Sequence, residues 1–154
     1  MAKQSAGPQR LTNRKARFEF EILEDVEAGL ALTGSEVKSL RDGRASLDEA
    51  YAYIDRDEAW LRDFTIQPYE RAGYSQHEPK RPRKLLLHRR EIRKWTSKVM
   101  QRGFTLVPLA VYFNERGLVK VQIALAKGKN VADKRESIKK RDQQRDIDRT
   151  LRRR

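Results

Sequence analysis

The sequence predicts a mainly β fold: at least six short antiparallel strands that close into a small barrel, two to three helices, and a basic C-terminal tail. Three observations lead to this prediction. Apolar and polar residues alternate over several short stretches, which is the period of half-buried strands. Polar turns separate many of these stretches. The last 28 residues hold 12 Lys/Arg and 5 Asp/Glu, a net charge of +7, without a continuous apolar stripe.

The first elements are predicted to be two strands and a short helix. Phe18, Phe20 and Ile22 alternate with two glutamates, which indicates a strand over 18–22. A turn over 26–29 is expected to lead into a second strand over 30–33. Ser35 is a suitable N-cap for a helix over 36–41.

A β-hairpin is predicted next. Its strands cover 50–54 and 60–66, with a polar turn between them. The alternation in the second strand predicts that Trp60, Phe64 and Ile66 share one face.

A long connection over 67–83 precedes a third helical segment. Connections of this length inside a compact domain are usually functional or mobile. Leucines 85–87 lead into a helix over 88–102, whose apolar stripe is formed by Ile92, Trp95 and Val99. Because three consecutive leucines cannot all face one core, at least one is expected to be exposed.

Two long strands are predicted to complete the sheet. The strand over 104–113 shifts its alternation at Pro108, which indicates a bulge or an edge position. After a turn over 114–117, the strand over 119–125 alternates cleanly, so Lys120 should point away from the core. The predicted order, β-β-α-β-β-α-β-β, is typical of an OB-like barrel, a module that commonly binds oligonucleotides.

The chain is predicted to divide into three parts: a flexible N-terminus (1–12), an OB-like barrel (13–129) and the tail (130–154). The tail has good helix propensity, but Ile147 and Leu151 fall on the opposite side of the helix from its other large apolar residues. We therefore expect the tail to be disordered in the free protein and helical when bound to a polyanion.

Composition excludes several classes of protein. The net charge of the whole chain is +13, which favours anionic partners. There is no cysteine for a disulfide or a thiolate site, and with only two histidines we expect neither a metal nor a cofactor. The apolar runs are too short to span a membrane, and a signal peptide is not expected. We therefore expect a cytoplasmic, monomeric protein.

No catalytic constellation is evident, so we predict a binding protein with no catalytic residues. Its acidic residues mostly alternate with cations or lie in turns, away from the dry cleft that acid–base chemistry needs. The enzyme alternative is a metal-dependent nuclease that uses acidic side chains. These would be Glu36, Asp48, Glu49 and Asp63.

Three cationic patches, over 13–17, 80–90 and 127–129, are interleaved with apolar residues. Such patches neutralise phosphates and offer surfaces for unstacked bases, so they indicate nucleic-acid binding, without choosing between RNA and DNA. The candidate binding residues in them are Asn13, Arg14, Lys15, Arg17, Arg83, Lys84, His88, Lys127 and Lys129.

Several longer segments resemble one bacterial family. They are NRKAR (13–17), EAGLALTGSEVKSLRDGRASL (27–47), KRPRKLLLHRREI (80–92), LVPLAVYF (106–113) and AKGKNVADKRE (126–136). These motifs are similar to those of the SmpB family of SsrA-binding proteins. The resemblance implies an OB-type barrel that binds the tRNA-like domain of transfer-messenger RNA and enters stalled ribosomes in trans-translation. By position, the family's RNA contacts fall on Asn13, Glu27, Leu86 and Lys120.

For the tail, the resemblance implies entry into the empty mRNA channel of the small ribosomal subunit, beyond the decoding centre, and folding into a helix there. Elongation factor Tu and alanyl-tRNA synthetase are implied as partners through the RNA. The tail residues expected to act on the ribosome are Asp133, Lys134, Arg135, Lys139, Arg141, Ile147 and Leu151.

The chain departs from the family pattern at three positions. Phe18 stands where histidine is common, Asn130 where a lysine is common, and Gln143 where the family has a tryptophan. An aromatic stacking role is therefore not expected for this tail. The competing class is a basic ribosomal or initiation-type protein with an OB barrel, which would bind mature ribosomal RNA constitutively.

Overall fold

The computed structural model describes residues 10–69, 76–100, 104–129 and 131–152. Nine strands and four helices lie within these ranges. In chain order they are β1 (Leu11–Thr12), α1 (Arg14–Glu19), β2 (Phe20–Leu30), α2 (Gly34–Arg41), β3 (Ala45–Ser46), β4 (Tyr51–Asp55), β5 (Glu58–Arg62), β6 (Thr65–Ile66), β7 (Arg83–Leu86), α3 (Arg89–Val99), β8 (Phe104–Phe113), β9 (Val119–Gly128) and α4 (Val131–Arg152).

Seven strands form one antiparallel sheet in the order β1-β8-β4-β5-β7-β2-β9. Strand β9 also pairs with β8, and β3 and β6 form a separate two-stranded sheet. The prediction of a mainly β, antiparallel fold with several helices is therefore confirmed.

The main core lies on one side of these strands. It is built from branched and aromatic side chains with no or almost no exposed surface, among them Leu47, Leu61, Phe64, Ile66, Val121, Ile123 and Leu125.

A second, smaller cluster lies between α1 and the other side of β8 and β9. Its buried residues are Ala16, Val107, Leu109, Ala124 and Ala126. Alanine at three of these positions leaves room for a helix to lie close to the strands, since no long side chain separates their backbones. The helix is thus held on the outer side of the sheet.

The predicted start of the chain is wrong in two respects. Residues 14–19 form α1, N-capped by Asn13, so the first long strand begins at Phe20. The predicted turn over 26–29 and strand over 30–33 are absent. Strand β2 instead runs unbroken to Leu30, because β9 pairs with it along most of its length.

Helix α2 begins earlier than predicted. Thr33, and not Ser35, is the N-cap, and the carboxylate of Glu36 accepts a hydrogen bond from the Thr33 N–H at 2.9 Å. The Ser35 hydroxyl lies 2.9 Å from Nδ1 of His77, whose Nε2 lies 2.9 Å from the carbonyl oxygen of Ile66. Because a carbonyl oxygen only accepts, Nε2 donates to Ile66, and in the neutral imidazole Nδ1 accepts from the Ser35 hydroxyl. This chain of bonds ties α2 to the connection after β6.

The predicted face of β5 is partly wrong. Phe64 and Ile66 are buried, as expected, but Trp60 is only half-buried and its neighbours Ala59 and Leu61 enter the core. The two-residue turn before β5 has positive φ at both positions and pairs Asp55 with Glu58, which sets this register. A break in the strand at Asp63, where φ is 56°, restores the predicted phase afterwards.

The later elements largely follow the sequence pattern. Helix α3 lies inside the predicted range and buries Ile92 and Trp95. The register of β8 shifts at Pro108, so the predicted bulge is confirmed. Residues 83–86, which were expected to precede the helix, form strand β7, and Leu86 is 56% exposed, so one leucine is indeed outside the core.

A buried ion pair joins α2 to β7. Glu36 and Arg83 are both fully buried, and the Arg83 Nε donates to Glu36 Oε2. Arg81 reaches the other carboxylate oxygen at 2.5 Å. Arg83 also donates to the carbonyl oxygens of Phe64, at 2.5 Å, and Pro79, at 3.1 Å. The guanidinium and the carboxylate therefore have hydrogen-bond partners that offset their removal from water.

The network shifts the titration of Glu36. Burial alone would raise the pKa of its carboxyl, but hydrogen bonds from Arg81, the Thr33 N–H and Arg83 outweigh burial and hold the pKa below its usual value. A carboxyl whose pKa is lower in the folded than in the unfolded protein stabilises the fold at pH values above its unfolded pKa of about 4.3. This stabilisation is lost as the pH falls through the pKa of the carboxyl in the folded protein.

We predict that Glu36→Gln destabilises the protein by about 3–5 kcal/mol at pH 7, because the Arg83 charge then stays buried without compensation. Urea unfolding followed by circular dichroism measures this change. The variant should also lose less stability than the parent between pH 5 and pH 3. Glu49→Gln is the matched control, since Glu49 forms an exposed ion pair with Lys80, and should leave the midpoint unchanged. Equal midpoints for the two variants would contradict a structural role for the network.

Candidate nucleic-acid interface

Three of the predicted RNA contacts, Glu27, Leu86 and Lys120, come together on the face of the sheet opposite the main core. In the register of β7, β2, β9 and β8, Leu86 is opposite Gly29, Gly29 is opposite Lys120, and Lys120 is opposite Tyr112. Residues that pair across strands share a face, and Glu27 shares it with Gly29 because it is two positions away. We call Glu27, Gly29, Leu86, Tyr112 and Lys120 the outer-face cluster.

Gly29 leaves the space over which Leu86 lies. A Cβ atom at Gly29 would lie 3.1 Å from the Cβ of Leu86 and 3.2 Å from its Cδ1. The absence of a side chain at Gly29 therefore lets Leu86 lie flat against the strand while remaining 56% exposed. An exposed leucine held this way offers an apolar surface to a ribose or an unstacked base.

Glu27 is oriented by Tyr112, which was not predicted from the sequence. The Tyr112 hydroxyl donates to Oε2 of Glu27. Burial, together with this bond and the charge of Glu27, raises the pKa of Tyr112 to about 12, so the phenol remains a donor at neutral pH. Oε1 of the exposed Glu27 is left to accept hydrogen bonds from ribose hydroxyls or base amino groups.

Three further polar residues border the cluster. The guanidinium of Arg10 lies 5.1 Å from the ring centroid of Tyr112 and donates to the Gln122 side chain at 3.1 Å. Gln122 in turn donates to the carboxylate of Asp25. Tyr112 could have been found by pairing the predicted strands across the turn at 114–117, because this pairing places it opposite Lys120.

Helix α1 carries a second group of cations. Arg14, Lys15 and Arg17 are exposed on it, as the basic run predicts. Asn13 requires a correction, because it is only 6% exposed and its side chain is used within the fold. It accepts from the Ala16 N–H at 3.3 Å and donates to the Pro108 carbonyl oxygen at 3.0 Å. Asn13 therefore positions α1, and its side-chain amide is not available to RNA.

The patch over 80–90 does not form one cationic surface. Arg83 was predicted to contact RNA, but its side chain is fully buried against Glu36. A carboxylate in the core requires a cation beside it. Lys84 is half-buried, and its ammonium lies 3.3 Å from Glu58. His88 is exposed at the start of α3.

The patch over 127–129 joins β9 to α1. Lys127 is exposed at the end of β9. The Lys129 ammonium donates to the Arg17 carbonyl oxygen at 3.0 Å, and its N–H donates to the Glu19 carbonyl oxygen at 3.0 Å. Lys129 thus links the base of the tail to the C-terminal end of α1.

The tail forms helix α4. Of the predicted tail residues, Arg135, Lys139, Arg141, Ile147 and Leu151 have exposed side chains. The side chains of Asp133 and Lys134 are not among those described, and Asn130 lies outside the described residues. The guanidinium of Arg141 lies 5.7 Å from the ring centroid of Phe18. A helix that is polar on all sides and gains little from burial is marginal in water, so its disorder in the free protein stays a prediction.

Neither a metal site nor a membrane span is described in the structure. Within the described ranges, no group of three or more His, Cys, Asp and Glu side chains is placed to hold a metal ion. Of the acidic residues proposed for a nuclease, Glu36 is already bound by two arginines. No helix among the described residues is long and apolar enough to cross a membrane.

Comparison with known proteins identifies the family. The model of the SmpB protein family matches residues 10–153. The chain belongs to the SmpB family. It is 56% identical to an SsrA-binding protein of Moorella thermoacetica over 92% of both chains, and 53% identical to one of Trichodesmium erythraeum over 98% of both.

A solved structure is similar as well. It is described as "tmRNA-SmpB: a journey to the center of the bacterial ribosome". A chain in it matches with a TM-score of 0.67 and 48% sequence identity, over 84% of this chain and 94% of that one. The resemblance to the SmpB family that the sequence motifs indicated is thus confirmed.

We predict that Gly29→Ala displaces Leu86, because the new methyl group would press on the leucine side chain. RNA affinity should fall severalfold, while the free energy of unfolding should stay within about 1 kcal/mol of the parent. Gly128→Ala is the control, since nothing lies within 4 Å of a Cβ built there. Filter binding with chemical denaturation of each variant measures both quantities. Equal RNA affinities for the two variants would contradict the role given to Leu86.

Proposed function

We propose that this protein binds the tRNA-like domain of transfer-messenger RNA and delivers it to stalled ribosomes in trans-translation. The observation that carries the proposal is the outer-face cluster, where an acid, a cation and an exposed leucine from different strands meet on one surface. Membership of the SmpB family supports the proposal. So do the relatives, which are named SsrA-binding proteins, and the similar solved structure, whose description concerns tmRNA, SmpB and the ribosome.

The cluster suits RNA in a folded loop. Sequence-specific RNA recognition usually targets loops whose bases are unstacked and whose 2′-hydroxyls are accessible. Lys120 makes no ion pair with another described residue and can meet a phosphate. Glu27, held by Tyr112, can accept from base amino groups or ribose hydroxyls, and Leu86 can pack on a ribose or a base. The exposed cations of α1 add phosphate contacts.

We also propose that the strands close into an OB-like barrel over 13–129. This barrel would follow a flexible N-terminus over 1–12 and precede the tail over 130–154. Support comes from the strand pairing, since β8, β4, β5, β7, β2 and β9 are neighbours in turn and β9 pairs again with β8. Support for the boundary at 129 is that no residue after Ala126 belongs to either described core cluster.

The tail is proposed to enter the empty mRNA channel and to be held there by its charge. The tail holds 10 Lys/Arg and 5 Asp/Glu, and the described side chains of α4 are exposed on all sides. A channel lined by phosphates would neutralise these cations and offset the entropy lost in ordering the segment. Gln143 offers no ring for stacking, so electrostatics should dominate in this chain.

The partners proposed are transfer-messenger RNA and the small ribosomal subunit at its decoding centre and mRNA channel. Elongation factor Tu and alanyl-tRNA synthetase are expected to associate through the RNA. We expect the protein to act as a monomer in the cytoplasm, without a metal, cofactor or catalytic step.

The alternative is a basic ribosomal or initiation-type RNA-binding protein with the same barrel. It would hold mature ribosomal RNA constitutively, and the two functions differ in the RNA that copurifies with the protein. Sequencing that RNA decides between them, with transfer-messenger RNA expected to be enriched over ribosomal RNA.

We predict that affinity for the isolated tRNA-like domain exceeds affinity for an elongator tRNA of similar length. Binding should also weaken steeply with salt, because each phosphate contact contributes roughly 0.7–0.9 units to the log–log slope. Fluorescence titrations of both RNAs at several salt concentrations measure the two effects. Equal affinity for both RNAs would contradict the proposed substrate, and a flat salt dependence would contradict the electrostatic account.

We predict that truncation after Lys129 separates RNA binding from tagging. The first 126 residues contain every described core residue, and 23 cations against 17 acids, a net charge of +6. The truncated protein should fold and bind the tRNA-like domain nearly as well as the full chain, but fail to support tagging of nascent peptides on stalled ribosomes. Charge reversal at Lys134 and Arg135 in the full chain should act in the same direction. Tagging by the truncated protein at the full-length rate would refute the role of the tail.

A further inference from the structure

A groove of about 520 Å³ lies beside the outer-face cluster. The turn between β4 and β5, strand β7 and the start of α3 form its walls. Leu86 lines it, so the groove opens directly onto the surface proposed to bind RNA. Its charged lining residues are Arg56, Asp57, Glu58, Lys84, Arg89 and Arg93.

The lining combines cations with an apolar floor. Four of its residues are cationic and two are acidic, a net charge of +2, and five are aliphatic. Arg89 and Arg93 are four positions apart on α3, which places both guanidiniums on one face of the helix. Arg56 approaches from the opposite wall, in a turn where its φ is 49°.

The two sides of α3 differ in how their charges are compensated. Lys94 and Lys98 lie 3.3 and 3.7 Å from the carboxylate of Glu24, which also accepts from the Trp95 indole at 2.5 Å. No ion pair is described for Arg89 or Arg93 within the described ranges. The fold therefore neutralises the side of α3 towards β2 and leaves the groove side charged.

We infer that the groove takes one unstacked nucleotide of the bound RNA, an inference that rests on the proposed function. The guanidiniums of Arg89 and Arg93 bind its phosphate, and Leu86 contacts its ribose or base. Positive charge selects an anionic ligand, and the volume suits one nucleotide rather than a duplex. The acidic residues Asp57 and Glu58 can accept from base amino groups at the same wall.

Arg89→Gln combined with Arg93→Gln in the full chain tests the inference. The control combines Arg62→Gln with Arg116→Gln, which removes the same charge from exposed positions that neither line the groove nor belong to a cationic patch. Affinity for the isolated tRNA-like domain should fall at least tenfold in the groove variant. Its log–log salt slope should become shallower by about one unit per arginine. The control should change affinity severalfold less.

Chemical probing of the RNA locates the nucleotide. One nucleotide should be protected by the parent and by the control, and become reactive with the groove variant. Equal losses in both variants, or no nucleotide whose protection depends on the groove, would overturn the inference while leaving the proposed function standing. A groove variant that binds the RNA normally but fails to support tagging would indicate that the groove contacts the ribosome. This outcome would also overturn the inference. Failure of the parent to prefer the tRNA-like domain would overturn both.

Discussion

The pairing of Glu36 with Arg83 is the contact on which much of this structure depends. A carboxylate and a guanidinium removed from water are tolerated only when each is fully hydrogen-bonded. The arginine therefore also reaches the carbonyl oxygens of Phe64, before the long connection, and Pro79, near its end. The pair thereby joins α2, β7 and the end of that connection in one place.

The buried arginine also sets the phase of β7. Side chains alternate along a strand, so with Arg83 inside, Lys84 is outside, Leu85 is inside and Leu86 is outside. The exposure of Leu86 thus follows from the burial of a cation three residues earlier. On the neighbouring strand, Gly29 leaves the space that lets this leucine lie flat. A feature of the outer-face cluster is in this way a consequence of the core.

Much of the fold could be predicted from the sequence, and the failures have physical causes. The alternation in β9 is unambiguous, so both that strand and the outward direction of Lys120 were predictable. Residues 18 and 19 were wrongly assigned to a strand because Phe18 matches a strand pattern, whereas it lies on a helix held by Ala16. Arg83 was misplaced because a prediction from hydrophobic and polar patterns assigns every cation to the protein surface. Its partner in the core could be known only from the tertiary structure.

Three members of the outer-face cluster were named from the sequence, but their spatial arrangement could not be predicted. The positions of Glu27, Leu86 and Lys120 came from motif resemblance, and nothing in local sequence indicates that they meet. Tyr112 and Gly29 could be added only once the strands were paired, because their roles arise from neighbours on other strands.

The junction at Lys129 has a mechanical consequence. Two hydrogen bonds from this one residue hold the last turn of α1, where a cation also interacts favourably with the exposed carbonyls of a helix C-terminus. Any force that draws α4 away from the body acts first on this junction. Because Lys129 also follows the last residue of β9, the load is shared between α1 and the sheet. A force that pulls on the tail can therefore change the orientation of the arginines on α1.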